Sequence, residues 1–304
     1  MTEPRVTALR SVEFGVRDVD AAARFYSEVW NLTPVVKEDG VVYLRGTGPE
    51  QYILALHKRP QAELVRINFA APGEAEIEAL HARAKAWPGL GEVDGPMSLD
   101  RPGGGYGFAF KDVEGRNIGV IAGVQEHADA GHTPDRPFKL SHCVLNTGDT
   151  EATVKMFTGL LGFQVIDQTR ILYFLRCNSD HHSVALGYTG GPTLHHVAFE
   201  MPDIDSVMRG AGRMRDAGYA IEWGVGRHGP GNNVFTYHIG PEDFVIEYTS
   251  DVEQVDESYK PGGPNDWGFP KGRTDRWGVT LPPSERIEHA QKKIGFAESL
   301  ALSA

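Results

Sequence analysis

Cysteine is scarce in this chain. Its 304 residues include two cysteines, Cys143 and Cys177, and both lie in apolar stretches typical of strands. Two thiols exclude the dense disulfide framework of a small secreted scaffold and fit a protein of a reducing compartment. We interpret both cysteines as small buried hydrophobic residues.

Positive charge and long apolar runs are also lacking. Lys and Arg number 30 against 41 Asp and Glu, for a net charge of -11. This balance argues against nucleic acid or an anionic membrane surface as a partner. The opening stretch MTEPRVTALRSVEFGV has no signal-peptide core, and no run reaches transmembrane length. We therefore expect a cytoplasmic globular protein without nucleic-acid or membrane partners. Its length suffices for two domains.

An internal repeat organises the sequence. LRSVEFGVRDVDAAARFYSEVWNLTPVV (9–36) matches LSHCVLNTGDTEATVKMFTGLLGFQVID (140–167), and residues 65–84 match 195–214 at nearly the same spacing. In the first pair a strand, an acidic N-cap (Asp18 or Asp149), an amphipathic helix and another strand follow one another. The two matches predict a duplicated α+β domain, in which each copy holds two paired βαβββ modules.

The repeat also predicts how the chain is divided. We expect a first domain over residues 1–124 and a second over 138–250. The acidic, proline-containing stretch 125–137 is typical of a linker. Residues 251–304 have no counterpart in the first half, and we expect them to form a loop followed by a helix.

Three strands of the second copy each direct one metal-binding residue type away from their apolar face. Neighbouring side chains in a strand point to opposite faces. In LHHVAFE the alternate apolar residues share the parity of His195, so His196 faces the other side and His195 does not. The same alternation in SHCVLN and DFVIEYTS singles out His142 and Glu247. If these strands curve around a shared cavity, two imidazoles and one carboxylate meet inside it.

Two histidines and one carboxylate are the ligand set of non-haem Fe(II) oxygenases. Such a set leaves roughly three coordination positions open, enough for a bidentate substrate and O2. A single carboxylate also leaves the site cationic, which favours an anionic oxygen donor such as a catecholate. Mn(II) is an alternative ion, because these ligands do not separate it cleanly from Fe(II). In the first copy the three positions are Ser11, Arg66 and Gly119, so we expect no metal there.

The motifs SHCVLN, LHHVAFE and GPEDFVIEYTSD, in this order, resemble those of type I extradiol ring-cleaving dioxygenases. This family, which includes catechol 2,3-dioxygenases and dihydroxybiphenyl dioxygenases, belongs to the vicinal oxygen chelate superfamily. The resemblance covers about residues 7–295 and implies two tandem glyoxalase/bleomycin-resistance-like domains, the first without metal. It implies a homo-oligomer that uses Fe(II) and O2. The implied reaction opens a catechol-type aromatic diol to a muconic semialdehyde or keto-dienoate in aromatic degradation.

The resemblance extends to residues around the metal. It implies that His182 in CNSDHHSVALG is the acid/base group, with His181 as its outward-facing neighbour. It also implies that His228 in GVGRHGPGNN and Tyr237 hydrogen-bond the substrate. A three-residue loop at 241–243 would place Tyr237 opposite Glu247 on one face of a hairpin.

One feature departs from the biphenyl-type enzymes, which carry an acidic residue just after the substrate-binding histidine. This chain has HGPGNN there, and Asn232 and Asn233 are the candidates to replace the acidic group.

Three other functions remain open at this stage. A metal-dependent lyase or epimerase of the same superfamily would be repeat-built in the same way. Hydroxyphenylpyruvate dioxygenase shares the two-histidine, one-glutamate ligand set on a longer chain. A metal-free small-molecule-binding protein would leave the in-phase His142, His196 and Glu247 unexplained. Metal content and O2 consumption separate a dioxygenase from a lyase and from a binding protein.

Overall fold

The computed structural model describes residues 3–38, 40–128, 131–188 and 190–300. Within these ranges the chain forms 17 β-strands and five α-helices. Among the residues described, no helix combines the length and the apolar character that crossing a lipid bilayer requires.

The first copy contains two βαβββ modules. The first module consists of β1 Ala8–Val16, α1 Val19–Arg24, β2 Thr33–Glu38, β3 Val41–Arg45 and β4 Leu54–Lys58, and a π-helical turn at Phe25–Val29 extends α1. The second consists of β5 Glu63–Ala70, α2 Glu74–Ala86, β6 Val93–Ser98, β7 Tyr106–Lys111 and β8 Asn117–Ala122.

The second copy repeats this order. Its first module consists of β9 Lys139–Asn146, α3 Thr150–Gly159, β10 Gln164–Gln168, β11 Leu172–Arg176 and β12 Val184–Gly187. Its second consists of β13 Leu194–Glu200, α4 Ile204–Asp216, β14 Trp223–Arg227, β15 Val234–Ile239 and β16 Val245–Ser250, with a 3₁₀ turn at Pro241–Asp243. The tail adds α5 Glu285–Ala290 and β17 Gly295–Phe296.

The two sheets have the same strand order. It is β2-β3-β4-β1-β5-β8-β7-β6 in the first and β10-β11-β12-β9-β13-β16-β15-β14 in the second. The predicted α+β class and its four βαβββ modules are therefore confirmed. The predicted boundaries between segments stay predictions, and residues 129–130 and 301–304 of the predicted linker and tail lie outside the described ranges.

Local sequence explains how the equivalent helices α1 and α3 begin. Asp18 accepts a hydrogen bond from the backbone N of Ala21 at 2.9 Å, and Asp149 accepts one from Ala152 N at 3.0 Å. Both aspartates satisfy N–H groups that the first helical turn leaves free, as the sequence predicts.

The core lies where each sheet packs against its helices. Cys143 is fully buried in this core, and Cys177 is buried at its edge. Burial raises the pKa of both thiols, which keeps them protonated and unreactive. Both are free cysteines, so their interpretation as buried hydrophobic residues is confirmed.

The two copies cap each other's helices. Glu242, in the turn before β16, accepts hydrogen bonds from the backbone N of Arg17 at 2.6 Å and of Asp18 at 3.3 Å, at the start of α1. Glu114, in the turn before β8, accepts from the backbone N of Gly148 and, at 2.6 Å, of Asp149, at the start of α3. A carboxylate at a helix N-terminus is stabilising, so each copy supplies an anion that the other copy needs.

Aromatic stacking joins the first copy to β16. Phe14 stacks on Phe244 with ring centroids 4.0 Å apart, and Trp30 stacks on Tyr248 at 3.6 Å. The Tyr248 hydroxyl also donates to the carbonyl oxygen of Trp30 at 2.9 Å. The first copy therefore packs against β16 at Tyr248 and against Phe244, the residue just before this strand.

The tail crosses from the second copy to the first. β17 pairs in parallel with β5 of the first sheet. The Asn117 side chain donates to the carbonyl oxygens of Ala297 at 3.2 Å and Ser299 at 2.9 Å. The tail thus fastens the two sheets together, and the sequence does not predict this crossing.

Removing the Glu242 cap tests the coupling between the copies. We expect Glu242→Ala to lower the free energy of unfolding by about 1 kcal/mol, because two backbone N–H groups at a helix start lose their acceptor. Urea unfolding followed by tryptophan fluorescence measures the change. Glu28→Ala, at an exposed glutamate, is the control and is expected to unfold like the wild type. Equal stability of the two variants would contradict a stabilising role for the cap.

Candidate metal centre

Three adjacent strands carry the candidate ligands. β13 lies between β9 and β16, and Ala198 on β13 is opposite His142 on β9 and Glu247 on β16. His196 lies two residues before Ala198, hence on the same face of β13. The pairing register therefore brings the three predicted side chains to one side of the sheet.

The ligand atoms are close enough to share one ion. His142 Nε2 lies 3.2 Å from Glu247 Oε2, and His196 Nε2 lies 3.1 Å from the same oxygen. Neighbouring ligands of a six-coordinate ion with bonds of about 2.1 Å are about 3 Å apart. Within the described ranges, this is the group of His, Cys, Asp and Glu residues whose ligand atoms converge, all within 4.8 Å of one another.

Two buried polar atoms of this group, His196 Nε2 and Glu247 Oε1, make no well-aligned hydrogen bond among the described residues. The 3.1 Å approach of His196 Nε2 to Glu247 Oε2 is close enough for a shared ion but lacks hydrogen-bond alignment. A buried polar atom without a partner costs free energy, and for an ionised carboxylate the cost is larger. A metal ion bound between the three side chains would satisfy both atoms, so the residues present fit the implied metal.

Charge and burial prepare these side chains to bind a cation. Burial would raise the pKa of Glu247, but the imidazoles of His142 and His196 outweigh burial and hold it below its usual range. Burial lowers the pKa of His196, which keeps that imidazole neutral. Metal ligands must be deprotonated. Glu247 as an anion and His196 as a neutral base meet that requirement.

Each histidine of the triad is oriented by a neighbour. His142 Nδ1 lies 3.0 Å from Ser141 Oγ, and His196 Nδ1 lies 2.7 Å from His195 Nδ1. Ligating histidines commonly use the ring nitrogen that faces away from the metal in this way, which fixes ring orientation. Here the contacts leave Nε2 of both rings directed at Glu247.

The placement of His195 corrects the expectation that it faces away from His196. A β-bulge in β13 between Leu194 and His196 makes His195 an extra residue in the pairing with β9. A bulge interrupts strict alternation. The His195 ring therefore also lines the cavity described below, although it does not belong to the converging triad.

Ala198 is a site residue that the sequence analysis missed. Its equivalent in the first sheet is Asn68, which lies opposite Ser11 and Gly119 in the same register. The Asn68 amide donates to Ser11 Oγ at 3.0 Å and to Glu13 Oε1 at 2.8 Å. In the first copy an asparagine side chain thus occupies the space that, in the second copy, holds only the methyl group of Ala198. A small residue two positions after a ligand histidine is the signal that could have revealed it.

The first copy holds ion pairs where the second gathers its ligands. Glu13 forms ion pairs with Arg66 at 3.1 Å and with Arg101 at 2.5 Å, and its Oε2 lies 2.9 Å from His57 Nε2. The strand registers match the alignment of Ser11, Arg66 and Gly119 with the three candidate ligands. A cluster already filled by side-chain cations has no evident place for a metal ion.

The triad opens into a cavity of about 550 Å³. His182, His228 and Tyr237 line it together with His142 and His196. The rest of the lining is largely apolar, and it comes from β9, β11 and β14, from the loops beside them and from the tail; it includes Val144, Ile171, Leu172, Phe174, Trp223, Pro230, Trp267, Phe269 and Pro283. The structure therefore brings all six sequence-predicted site residues to one place.

The three predicted residues around the triad are His182, His228 and Tyr237, and each contacts a ligand or another of the three. The His182 and His142 rings are 4.3 Å apart between centroids, and His228 Nε2 lies 3.0 Å from the Tyr237 hydroxyl. Tyr237 is opposite Glu247 across the 3₁₀ turn, so the predicted hairpin register is confirmed.

Burial sets the protonation of these three side chains. It lowers the pKa of His182 well below its usual range and that of His228 to about 4. It also raises the pKa of Tyr237, and the nearby Glu247 raises it further. At neutral pH the cavity thus presents two neutral imidazoles and one protonated phenol.

Two other expectations need correction. His181 does not face outward to solvent, because it is fully buried with Nε2 2.6 Å from Asp167 Oδ2. Asn232 and Asn233 are absent from the cavity lining among the described residues. The Asn233 side chain donates instead to Thr249 Oγ1 at 2.7 Å, so it does not stand in for an acidic group at the cavity.

Comparison with known proteins gives consistent matches. The model of the Glyoxalase/Bleomycin resistance protein/Dioxygenase superfamily matches residues 139–247. Metapyrocatechase of Pseudomonas sp. strain CF600 is 32% identical over 249 residues, which are 76% of this chain and 81% of that protein. Metapyrocatechase 2 of Cupriavidus necator is 33% identical over 122 residues, 39% of this chain, and the match spans only 38% of that protein.

A solved structure matches over nearly the full chain. The Mn(II)-bound glyoxalase from Novosphingobium aromaticivorans superposes with a TM-score of 0.86 at 37% identity, covering 93% of this chain and 94% of that one. The tandem-domain fold is therefore shared with a metal-binding protein.

Metal analysis of four variants tests the triad. We expect His142→Ala, His196→Ala and Glu247→Ala each to lose the ion, because each removes one of three ligands. His195→Ala is the matched control; it should keep the ion at an affinity roughly 10- to 100-fold lower, as when an orienting neighbour is lost. Elemental analysis after anaerobic loading with Fe(II) should give one metal per wild-type chain. Two metals per chain, or loss of metal from His195→Ala but not from His196→Ala, would contradict the assignment.

Proposed function

Because the chain belongs to the extradiol ring-cleaving dioxygenase family of the vicinal oxygen chelate superfamily, we propose that it cleaves a catechol-type diol beside its two hydroxyl groups. The observation that carries this proposal is the convergence of His142, His196 and Glu247 at one end of a largely apolar cavity. The product is a ring-opened semialdehyde or keto acid.

We assign His142, His196 and Glu247 as the ligands of Fe(II). When bound, Fe(II) supplies open coordination positions for both diol oxygens and O2, and the electrons that activate O2. Mn(II) is the alternative ion, since the same ligand types suit it and the Novosphingobium relative is described as Mn(II)-bound.

The charge of the site favours the ionised diol. Glu247 contributes one negative charge against the two of a divalent cation, and both ligand imidazoles bind as neutral groups. A catecholate would complete the charge balance inside the cavity, where unbalanced charge is costly.

We assign to His182 the role of taking the proton that the diol loses. Its ring lies against that of His142, and its Nδ1 is engaged by His181 at 3.0 Å. Nε2 is therefore the nitrogen left to accept the proton. Burial keeps this imidazole neutral and ready to do so.

His228 and Tyr237 also line the cavity. Their side chains are hydrogen-bonded to each other at 3.0 Å, and Tyr237 keeps its proton. A hydroxyl donor and a neutral imidazole here would hydrogen-bond the diol oxygens and the negative charge that develops on oxygen during ring opening.

The cavity favours a diol that carries a large, uncharged substituent. Cavities of about 300–1,000 Å³ hold drug-sized ligands, and this one has a volume of about 550 Å³. Arg170 is the one Lys, Arg, Asp or Glu among its described lining residues, and its guanidinium donates to Asn265 at 3.2 Å. We propose a two-ring apolar diol, such as 2,3-dihydroxybiphenyl, rather than a diol with a carboxylate substituent.

Oxygen uptake by the metal-loaded protein tests the reaction. We expect one O2 consumed per diol and the appearance of an absorbing ring-opened product. Chelation of the metal should stop the reaction, and readdition of Fe(II) or Mn(II) should show which ion restores it. We expect kcat/KM for 2,3-dihydroxybiphenyl to exceed that for catechol at least tenfold, because burying a second ring contributes about 1.5–3 kcal/mol.

Each outcome addresses a separate part of the proposal. Metal binding without O2 consumption would contradict ring cleavage and favour a lyase or isomerase, and absence of metal would favour a binding protein. Ring cleavage with catechol as the better substrate would contradict only the proposed substrate class.

A further inference from the structure

We propose that Asp167 and His181 form a positioning pair that fixes the orientation and tautomer of His182, and that the tail holds this pair in place. The inference rests on the proposed function, because it concerns how His182 acts on the diol.

His181 is a buried side chain to which the proposed reaction assigns no role. It is fully buried and, unlike His182, is not part of the cavity lining. Its Nδ1 lies 3.0 Å from His182 Nδ1, and its Nε2 lies 2.6 Å from Asp167 Oδ2. The three residues therefore form a continuous chain of hydrogen bonds that ends at the cavity.

Asp167 can act only as an acceptor in this arrangement. The backbone N–H of Gly262 donates to Oδ1 at 2.6 Å, and the Tyr259 hydroxyl donates to Oδ2 at 2.9 Å. Asp167 is also almost completely buried. An ionised carboxylate has no hydrogen to donate, so His181 must carry a hydrogen on Nε2 to bond to it.

The same hydrogen-bond directions determine the tautomer of His182. In the proposed pair His181 donates from Nε2 to Asp167 and accepts at Nδ1. The 3.0 Å contact between the two Nδ1 atoms then needs a hydrogen on His182 Nδ1, which leaves the lone pair of His182 on Nε2. That lone pair is the one required to accept a proton from the diol.

A bulge in the edge strand β10 places Asp167. The pairing of β10 with β11 shifts between Val165 and Asp167, and Asp167 pairs with Phe174. This shift departs from regular alternation. It accompanies the burial of a carboxylate on an edge strand that otherwise carries exposed side chains such as Gln164.

The tail supplies two of the three donors to Asp167. Tyr259 and Gly262 precede the stretch of tail whose Trp267 and Phe269 line the cavity. The backbone N–H of Gln168 also donates to the carbonyl oxygen of Gly262 at 3.0 Å. The tail segment that borders the cavity and the hydrogen-bonded residues that orient His182 therefore both attach to the carboxylate of Asp167.

Steady-state kinetics of Asp167→Asn and His181→Gln test the pair. We expect both variants to keep one metal per chain and a KM for the diol within about threefold of wild type. We expect kcat to fall by roughly 10²-fold, since a wrong imidazole tautomer is severe for proton transfer. Asp256→Asn, at an exposed aspartate whose carboxylate accepts from Ser258, is the matched control and should keep wild-type kcat.

A double-mutant comparison separates positioning from a merely structural role. In the His182→Gln background, Asp167→Asn should cause little further loss of kcat, because the group it orients is already gone. An undiminished loss in that background would overturn the proposal, as would wild-type kcat in both single variants.

Tyr259→Phe keeps the proposal testable if Asp167→Asn does not fold. It removes one donor to Asp167 while keeping the ring, and we expect kcat to fall roughly two- to tenfold with metal content unchanged. Wild-type kcat in this variant would count against the tail's part in the pair. If the wild-type protein consumes no O2, the proposed function and this inference fail together. If the wild type is active and the variants match it, this inference alone fails.

Discussion

The structure depends on the buried carboxylate of Glu247, whose negative charge must be neutralised. Glu247 is completely removed from solvent in the central part of a sheet, and one of its oxygens has no hydrogen-bond partner among the described residues. The imidazoles of His142 and His196, on the next two strands, do not satisfy this anion fully, and a divalent cation bound between the three side chains would complete the balance. Strand register decides whether this is achievable, since a slip of one residue would turn each ligand to the opposite face.

The first copy has the same strand order but neutralises its buried glutamate in a different way. Asn68 occupies the level that Ala198 leaves open, and Glu13 is balanced by arginines instead of a metal. This copy also contacts the strand that presents Glu247. Its rings stack on Phe244, just before β16, and on Tyr248 within it, and Glu242 joins the turn of that hairpin to α1. The strand that presents Glu247 is thus packed against the first copy.

Much of this arrangement is predictable from sequence because it is local. Alternation within single strands singled out His142, His196 and Glu247, and the length of one turn set Tyr237 opposite Glu247. The repeat predicted the four modules because equivalent stretches share the same caps and apolar spacing.

What was missed depends on irregular or distant contacts. The bulge at His195 breaks alternation without a glycine or proline to mark it. The bond from His181 to Asp167 spans 14 residues, more than one strand or turn, and the crossing of the tail to β5 joins residues that are far apart in sequence. Ala198 leaves room beside the ligands because its side chain is only a methyl group, and its small size two positions after His196 is the one local sign of this. The other features arise from packing between elements, which no single stretch of sequence encodes.

We expect one metal ion to bind between three adjacent strands of the second copy and none to bind in the first. Anomalous X-ray diffraction from crystals of the Fe(II)-loaded protein, recorded at the iron edge, locates the ion. One strong peak is expected within about 2.2 Å of His142 Nε2, His196 Nε2 and a Glu247 oxygen. A peak beside Glu13 and His57, or iron held without Glu247, would contradict it.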